Sequence, residues 1–202
     1  MSKIKTGGTP LAQAKKAAIL IHGRGANAES ILSLEKYLKL DDYALLAPEA
    51  DGGTWYPYSF MAPDEANQSA LAGSLEKIKE AWKQIAQAGI SAEDVVLIGF
   101  SQGACLSLEF AALHGQKLGG VIAFTGGLIG EEIQEKKYSG DFKGTQIFIG
   151  SSEKDIHVPL SRINDSGTLL SRMGAKMKLM IFEDSNHTIR KEEIDWVNEN
   201  IL

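Results

Sequence analysis

Hydrophobic positions along the chain form two kinds of pattern, short continuous runs and longer one-sided stripes. The continuous runs predict six β-strands, at residues 17–22, 43–47, 95–100, 120–125, 146–150 and 176–182. The one-sided stripes predict five helices, at residues 29–38, 65–87, 102–114, 159–173 and 191–200. Most runs are apolar at nearly every position, so we expect both faces of each strand to be buried. The chain therefore predicts an α/β fold, with a mainly parallel central sheet and helices on both faces.

Residues that can carry chemistry come just after the predicted strands. The segment His22-Gly23-Arg24-Gly25 follows the first strand, Ser101 the third, residues 151–155 the fifth and His187 the sixth. In a parallel sheet covered by helices, ligands bind beyond the carboxyl ends of the strands. We therefore expect these four segments to meet at one edge of the sheet.

The sequence Gly99-Phe100-Ser101-Gln102-Gly103 ends an apolar run and opens a helical pattern, which predicts a nucleophile elbow. A serine raised on such a sharp turn needs small residues two positions before and after it, and Gly99 and Gly103 are those residues. The first amides of the following helix would then point at the reacting centre, where they favour negative charge. A buried structural serine is the alternative interpretation.

A serine nucleophile needs a base, and histidine is the usual one. His187 lies in the loop between the last predicted strand and the last helix, from which its ring could reach the elbow. Of the other histidines, His22 begins the glycine loop, His114 ends the helix after the elbow, and His157 lies close to an aspartate. We predict that His187 is the base, with a surface loop histidine as the alternative.

The base in turn needs an acid that holds its ring, and Asp155 is the predicted one. It follows the fifth predicted strand and gives the chain order Ser, Asp, His that is typical of α/β-hydrolases. Three other carboxylates compete for the role. Asp165 falls inside a predicted helix, Asp184 is close in sequence to the predicted base, and Glu153 stays open.

The glycines of the first loop predict the second half of an oxyanion hole, because they let backbone amides approach a ligand. We expect the amides of Arg24 and Gln102 to be the two donors. A phosphate-binding loop is the rival interpretation, but the segment lacks both the lysine of a P-loop and the third glycine of a dinucleotide motif.

Aromatic residues concentrate at positions 54–61, in a segment that its proline predicts to be a loop. We predict that Trp55 and Tyr56 line a substrate pocket, the alternative being that the loop only covers the sheet edge. The stretch between Thr125 and Gln146 is too short for a large lid domain. We therefore expect an open site, which favours substrates with small or extended acyl groups.

Composition limits the partners. The chain has 202 residues with 44% hydrophobic content, which predicts one domain over residues 1–202. A net charge of −5 with scattered basic residues disfavours nucleic acid, and the apolar runs are too short for membrane insertion. No signal-peptide pattern is present, and the single Cys105 excludes an intramolecular disulfide, so we expect a cytoplasmic protein with a small buried cysteine. No metal-binding spacing indicates a metal or cofactor, and homodimerisation stays open.

Together these motifs resemble the carboxylesterase/phospholipase family of serine α/β-hydrolases, which includes acyl-protein thioesterases. The resemblance covers nearly the whole chain and rests on several segments, namely His22-Gly23-Arg24-Gly25, Pro48, Trp55, Gly99-Phe100-Ser101-Gln102-Gly103, Asp155 with Val158-Pro159, and the loop before His187. It implies an α/β-hydrolase fold in which the nucleophile, acid and base fall on Ser101, Asp155 and His187.

Two features depart from that family. Arg24 stands where leucine is frequent, and the N-terminal region is too short for a full set of antiparallel lead-in strands. The Arg24 guanidinium could bind an acidic group of a substrate, or it could point into solvent, which we favour.

The expected activity is hydrolysis of carboxylic esters or thioesters through an acyl-enzyme, without a cofactor. Lysophospholipase and acyl-protein thioesterase activities are alternatives within the same chemistry. A non-catalytic binding protein of the same fold is the alternative of another class, because a fold does not dictate a function.

Overall fold

A seven-stranded sheet forms the centre of the computed structural model, which describes residues 3–202. The strands are β1 (Ile4–Gly8), β2 (Lys16–Ile21), β3 (Tyr43–Pro48), β4 (Val95–Phe100), β5 (Gly120–Phe124), β6 (Gln146–Ser152) and β7 (Lys176–Phe182). Across the sheet they lie in the order β1-β3-β2-β4-β5-β6-β7. β1 pairs antiparallel with β3, and the other neighbouring strands pair in parallel. The predicted mainly parallel sheet is confirmed.

Helices cover both faces of this sheet. They are α1 (Ala28–Leu32), α2 (Asp64–Gln87), α3 (Gln102–Leu113), α4 (Leu160–Arg172) and α5 (Lys191–Asn200). One hydrophobic core lies between the sheet and α2, α3 and α4, and it includes Ile78, Leu106 and Ile163. A second core lies between the opposite face and α1 and α5, and it includes Ile31 and Val197. Burial on both faces explains why the strand sequences are continuously apolar.

The hydrophobic pattern does not reveal β1, and it overextends the first helix. β1 carries one apolar side chain, Ile4, so no hydrophobic run marks it, and its extended form comes from pairing with β3. The first helix ends at Leu32 and continues as a 3-10 turn over Ser33–Lys36. There the Ser33 hydroxyl donates to the Ser30 carbonyl oxygen at 2.6 Å, a local bond that competes with the α-helical pattern. The other predicted elements are present, and their ends differ by at most two residues.

Two buried charged side chains hold the segment between β5 and β6 against the body. Arg162 of α4 donates to three main-chain oxygens of this segment, those of Leu128, Gly130 and Glu131. Glu109 of α3 accepts from the Tyr138 hydroxyl at 2.8 Å. A single 3-10 turn, Glu135–Lys137, forms within the segment. It is therefore a strap fixed to the helices, and the predicted lack of a large lid domain is confirmed.

The carboxyl ends of four parallel strands position the site. β2, β4, β6 and β7 run in the same direction, and the loops that follow them carry His22, Ser101, Asp155 and His187. The parallel topology thus brings to one edge of the sheet residues that lie far apart in the sequence.

Candidate active site

The turn between β4 and α3 holds Ser101 in a strained conformation. Its φ is 54°, in the left-handed region that residues with a side chain rarely adopt. The two glycines of the motif are required sterically, because a Cβ on Gly99 would lie 2.2 Å from the Gly103 carbonyl oxygen and one on Gly103 would lie 2.0 Å from that of Ile21. The Ser101 amide donates to the Phe124 carbonyl oxygen at 2.9 Å, which fixes the turn to β5. This geometry is that of the predicted elbow.

The three predicted catalytic side chains form a continuous hydrogen-bonded row. His187 Nε2 lies 2.8 Å from Ser101 Oγ, and His187 Nδ1 lies 2.7 Å from Asp155 Oδ2. The ring of Phe100 packs on one side of the His187 ring, with centroids 5.3 Å apart, and the ring of His157 contacts it edge-on at 5.0 Å. The imidazole is therefore held in place by two hydrogen bonds and two aromatic neighbours.

Asp155 is 7% exposed, and both of its carboxylate oxygens are occupied. Oδ2 faces His187, while Oδ1 accepts from the amides of His157 at 2.7 Å and Val158 at 3.0 Å. Burial of the carboxyl group raises its pKa, but the three hydrogen bonds together outweigh burial, so the pKa of Asp155 lies below its ordinary value. The carboxylate is therefore ionised at neutral pH.

The first glycine loop lies directly against the elbow. A Cβ on Gly23 would be 3.4 Å from the Ser101 Cβ. His22 fixes the loop, because its Nε2 accepts from the Ala50 amide and its Nδ1 donates to the Gly23 carbonyl oxygen at 2.7 Å. Burial lowers the pKa of His22, in keeping with a neutral ring in this role. His22 shapes the loop, as the sequence analysis suggests.

Two backbone amides of this region are available as donors. Within residues 3–202, neither the Arg24 amide nor the Gln102 amide donates to a protein acceptor. Both residues line the same cleft as Ser101, and the Gln102 amide begins α3. Amides at a helix N-terminus and in a glycine loop can stabilise an oxyanion formed beside the serine.

The Arg24 side chain is exposed and lines the cleft, but its guanidinium is bonded to the protein main chain. Its guanidinium donates to three consecutive main-chain oxygens, those of Tyr56, Pro57 and Tyr58, at 2.7–2.9 Å. The side chain is exposed, as the sequence favours, but its guanidinium does not point freely into solvent. The guanidinium clamps the glycine loop to the aromatic segment that forms the cleft wall, and this uses three of its five N–H donors.

We expect Arg24→Leu to lower kcat/KM about tenfold, and to do so equally for a neutral ester and for an acidic ester of the same acyl group. The reason is that the clamp positions an amide and a wall without touching the substrate. Steady-state kinetics on the two esters measure this. Arg24→Lys is the matched control, because it keeps the charge but lacks the fork that reaches three carbonyls, so it should fall nearly as far. A loss confined to the acidic ester would contradict the clamp.

The cleft above Ser101 has a volume of about 670 Å³ and two walls. One wall is the segment Tyr56 to Phe60 with Arg24, and the other is formed by Ile156, His157 and Val158 beside His187. The lining is mostly apolar and aromatic, and it includes no Asp, Glu or Lys side chain among the described residues. Such a cleft suits an uncharged, mainly apolar substrate.

Trp55 does not line this cleft, contrary to the expectation from the sequence. Its side chain is 2% exposed, its indole N–H donates to the His22 carbonyl oxygen at 2.8 Å, and its ring packs on the His22 ring. It therefore supports the glycine loop from behind. Tyr56 does line the cleft, and its hydroxyl contacts the thiol of Cys105 at the cleft floor.

Cys105 is buried, as expected, and it also lines the cleft, which no pattern in the sequence indicates. Burial raises the pKa of its thiol to about 11, so the thiol is protonated at neutral pH. It contributes to the floor of the cleft as a small apolar group and does not compete with Ser101 as a nucleophile.

Two further features concern partners. Among residues 3–202, no group of three or more His, Cys, Asp and Glu side chains is placed to bind a metal ion. None of the helices formed by these residues combines the length and the apolar character needed to span a membrane.

Residues 8–201 match the family model described as Phospholipase/Carboxylesterase. The chain belongs to this family. The phospholipase/carboxylesterase family consists of hydrolases, so the protein is a carboxylesterase-type hydrolase with the α/β-hydrolase fold.

Three similar proteins illustrate the family. A phospholipase/carboxylesterase of Dyadobacter fermentans, whose crystal structure is known, is 47% identical, with a TM-score of 0.98 over 100% of this chain and 96% of that chain. Acyl-protein thioesterase 1 of Saccharomyces cerevisiae is 29% identical in an alignment of 166 positions that covers 73% of this chain and 73% of that protein. Esterase PE8 is 24% identical with a TM-score of 0.79 over 98% of both chains, which shows the shared fold.

Two side-chain arrangements in this phospholipase/carboxylesterase family member escape sequence reasoning. The Gln102 side chain ties the elbow to the cleft wall, because Oε1 accepts from the Trp55 amide at 2.9 Å and Nε2 donates to the Tyr56 carbonyl oxygen at 2.8 Å. Only its amide was expected to matter. No local pattern marks such a contact between residues nearly fifty positions apart.

The loop that carries His187 is anchored by a second polar cluster. Arg190 Nη2 donates to Asp184 Oδ1 at 2.6 Å and to Ser152 Oγ at 2.8 Å, and Ser152 Oγ also lies 2.6 Å from the Asn186 carbonyl oxygen. Hydrogen bonds from the Asn186 amide, from Ser152 and from Arg190 lower the pKa of Asp184. Asp184 therefore anchors the loop and does not contact the His187 ring, which removes it as the competitor of Asp155.

Proposed function

We propose that this protein hydrolyses carboxylic esters or thioesters with Ser101 as nucleophile, His187 as general base and acid, and Asp155 as the orienting acid. The observation that carries the proposal is the unbroken row from Ser101 Oγ through both His187 nitrogens to Asp155 Oδ2, with distances of 2.8 and 2.7 Å. Serine alone is a weak nucleophile at neutral pH, and this row supplies both the base and the group that sets its tautomer.

In the first step His187 Nε2 takes the proton of Ser101 as Oγ bonds to the substrate carbonyl carbon. The carbonyl oxygen becomes an oxyanion that the Arg24 and Gln102 amides stabilise. When the intermediate collapses, the bond to the alcohol or thiol breaks and His187 gives its proton to that leaving atom. The ionised Asp155 stabilises the imidazolium in between. The products are a free alcohol or thiol and an acyl-serine.

In the second step a water molecule replaces the leaving group. His187 takes a proton from the water, whose oxygen bonds to the acyl carbon, and the same amides stabilise the second oxyanion. The Ser101–acyl bond then breaks, His187 returns the proton to Ser101 Oγ, and the carboxylic acid leaves. All protons and electron pairs are accounted for by the substrate, water and these side chains, so the cycle needs no metal or organic cofactor.

Small or extended acyl groups fit the proposal best, because the cleft is open and lined by apolar groups. Thioester hydrolysis is supported by the similarity to acyl-protein thioesterase 1, and lysophospholipase activity by the family description. A panel of oxygen esters, thioesters and lysophospholipids that share one acyl group separates the three. The net charge of −5 and the single cysteine support a cytoplasmic enzyme that does not act on nucleic acid.

Intact mass after exposure to a fluorophosphonate tests the proposal. We expect one adduct on the native protein and none on Ser101→Ala, because only a serine activated by a base attacks the reagent at a useful rate. Ser59→Ala is a matched control, since Ser59 lines the same cleft but lies outside the row, and it should still be labelled. A native protein that stays unlabelled would favour the non-catalytic binding protein.

A further inference from the structure

Large hydrophobic side chains are exposed at three positions of residues 3–202, and two of them border the cleft. Ile156 is 84% exposed and Tyr58 is 60% exposed, and they belong to two different segments of the cleft lining. The third, Tyr37, is 65% exposed and lies away from the cleft. An apolar side chain kept in water beside a reacting serine is suited to cover an apolar part of the substrate.

The position of Ile156 is fixed by the backbone on both sides of it. Asp155 accepts hydrogen bonds from the amides of His157 and Val158, and the Val158 side chain is buried in the core. The turn that exposes Ile156 is therefore the turn that sets the Asp155 carboxylate for His187. Its exposure is a built property of the site.

The chemistry decides which part of the substrate meets this wall. His187 Nε2 must pass its proton to the leaving atom, so that atom must come within hydrogen-bonding distance of Nε2, about 2.6–3.2 Å. The group attached to it then leaves the cleft past the residues that border His187. Phe100 and His157 both contact the His187 ring, and Ile156 beside His157 is the exposed apolar side chain next to this pair.

The oxyanion donors also separate the part of the cleft that binds the carbonyl oxygen from the part that binds the leaving group. The carbonyl oxygen must face the amides of Arg24 and Gln102, and the Arg24 side chain is bonded to the wall that carries Tyr58. The oxyanion donors are thus tied to residues 56–58, whereas Ile156 and His157 belong to the separate segment beside His187.

We propose that Ile156 and His157 form the leaving-group subsite, and that this subsite selects esters or thioesters of an uncharged, apolar alcohol or thiol of several carbon atoms. The proposal rests on the acyl transfer proposed above and adds the part of the substrate that sets specificity. The described lining has no Asp, Glu or Lys side chain, and its one arginine, Arg24, is bonded to the main chain of residues 56–58.

Two ester series test it. One keeps the acetyl group and lengthens the alcohol from methyl to hexyl, and the other keeps methanol and lengthens the acyl group from acetate to hexanoate. We expect Ile156→Ser to lower the hexyl-to-methyl ratio of kcat/KM about fivefold to tenfold in the alcohol series. The ratio in the acyl series should change less than about twofold, because the acyl group lies elsewhere.

Two further variants sharpen the result. His157→Leu adds apolar surface to the same subsite, so the hexyl-to-methyl ratio of kcat/KM in the alcohol series should rise. Any effect of this variant on His187 is common to both substrates and cancels in the ratio. Tyr37→Ser removes an equally exposed apolar side chain away from the cleft and should leave both ratios unchanged. Hydrolysis of the acetyl-enzyme, measured after a rapid burst, should be the same for Ile156→Ser and the native protein, because the alcohol has already left.

The outcomes are separable. A changed acyl series with an unchanged alcohol series would place Ile156 on the acyl side and overturn the subsite, as would two unchanged series. A native protein that cleaves no ester and takes no fluorophosphonate adduct would instead overturn the proposed function itself.

Discussion

Ser101→Ala is expected to lower kcat on an activated acetate ester about a millionfold, and removing His187 as well is expected to lower it hardly further. The two groups act as one unit, because the base has nothing to activate without the serine and the serine is inert without the base. The residual rate, about a thousandfold to ten thousandfold above water, comes from the oxyanion hole and from binding alone. The largest single loss in this protein should therefore arise at either member of the pair.

The measurement is a set of turnover rates for Ser101→Ala, His187→Ala and the double variant, each purified separately from the native protein. Thermal unfolding should show nearly unchanged midpoints, since the Ser101 side chain makes no hydrogen bond within residues 3–202 other than that with His187. Multiplicative losses in the double variant would mean that the side chains act independently. That result would contradict a shared nucleophile and base, whatever the size of each single loss.

The sequence predicts the fold well where burial is uniform. β4 shows this most clearly, because its apolar residues pack on both faces and the run ends at the strained serine turn. β1 is the opposite case, since an edge strand with one apolar side chain and two glycines carries no periodic signal. Its extended form depends on pairing with β3. This is a tertiary interaction with a distant part of the chain, so a short stretch of sequence cannot reveal it.

The site residues, like the strands, can be predicted from the sequence where a local pattern marks them and not where their contacts depend on distant segments. Ser101, Asp155 and His187 can be found from the sequence because each follows a strand of a parallel sheet, and topology then brings them together. The contacts of the Arg24 guanidinium and the burial of Trp55 cannot be found this way, since they depend on how two loops meet. Long polar and aromatic side chains look alike in a sequence whether they line a cleft or support it.

The oxyanion side of the site is a single hydrogen-bonded unit. Arg24 and Gln102 each present an amide to the cleft, and each uses its side chain to bind main-chain oxygens or amides of residues 55–58. The wall and the two donors therefore cannot move independently. We therefore expect changes in the cleft wall to affect catalysis even where the wall does not touch the reacting carbonyl.

Asp155→Asn should lower kcat about ten thousandfold while leaving the fold intact, because the amide has nearly the same shape as the carboxylate but cannot stabilise the imidazolium or hold the required tautomer. Asp184→Asn is the matched control. Asp184 is three positions from His187 in sequence, yet it bonds to Arg190 and Ser152, so its replacement should cost about tenfold or less. Equal losses in the two variants would contradict the assignment of Asp155, and a kcat for Asp155→Asn near that of the native protein would exclude it.

The stability of the native protein relative to Asp155→Asn should depend on pH, and the lowered pKa of Asp155 gives the sign of this dependence. Because the folded protein holds this pKa below its ordinary value of 3.8, the ionised carboxylate stabilises the fold at higher pH, and this contribution is lost as pH falls below about 3.8 and through the folded pKa. Asp155→Asn has no charge to lose there. The difference in free energy of unfolding between native protein and variant, measured by urea titration, should therefore shift against the native protein as pH falls through that range. If this difference in free energy of unfolding stayed constant from neutral to strongly acidic pH, the ionised Asp155 carboxylate would not be stabilised by His187 and the two amides. That result would contradict the electrostatic basis of its orienting role.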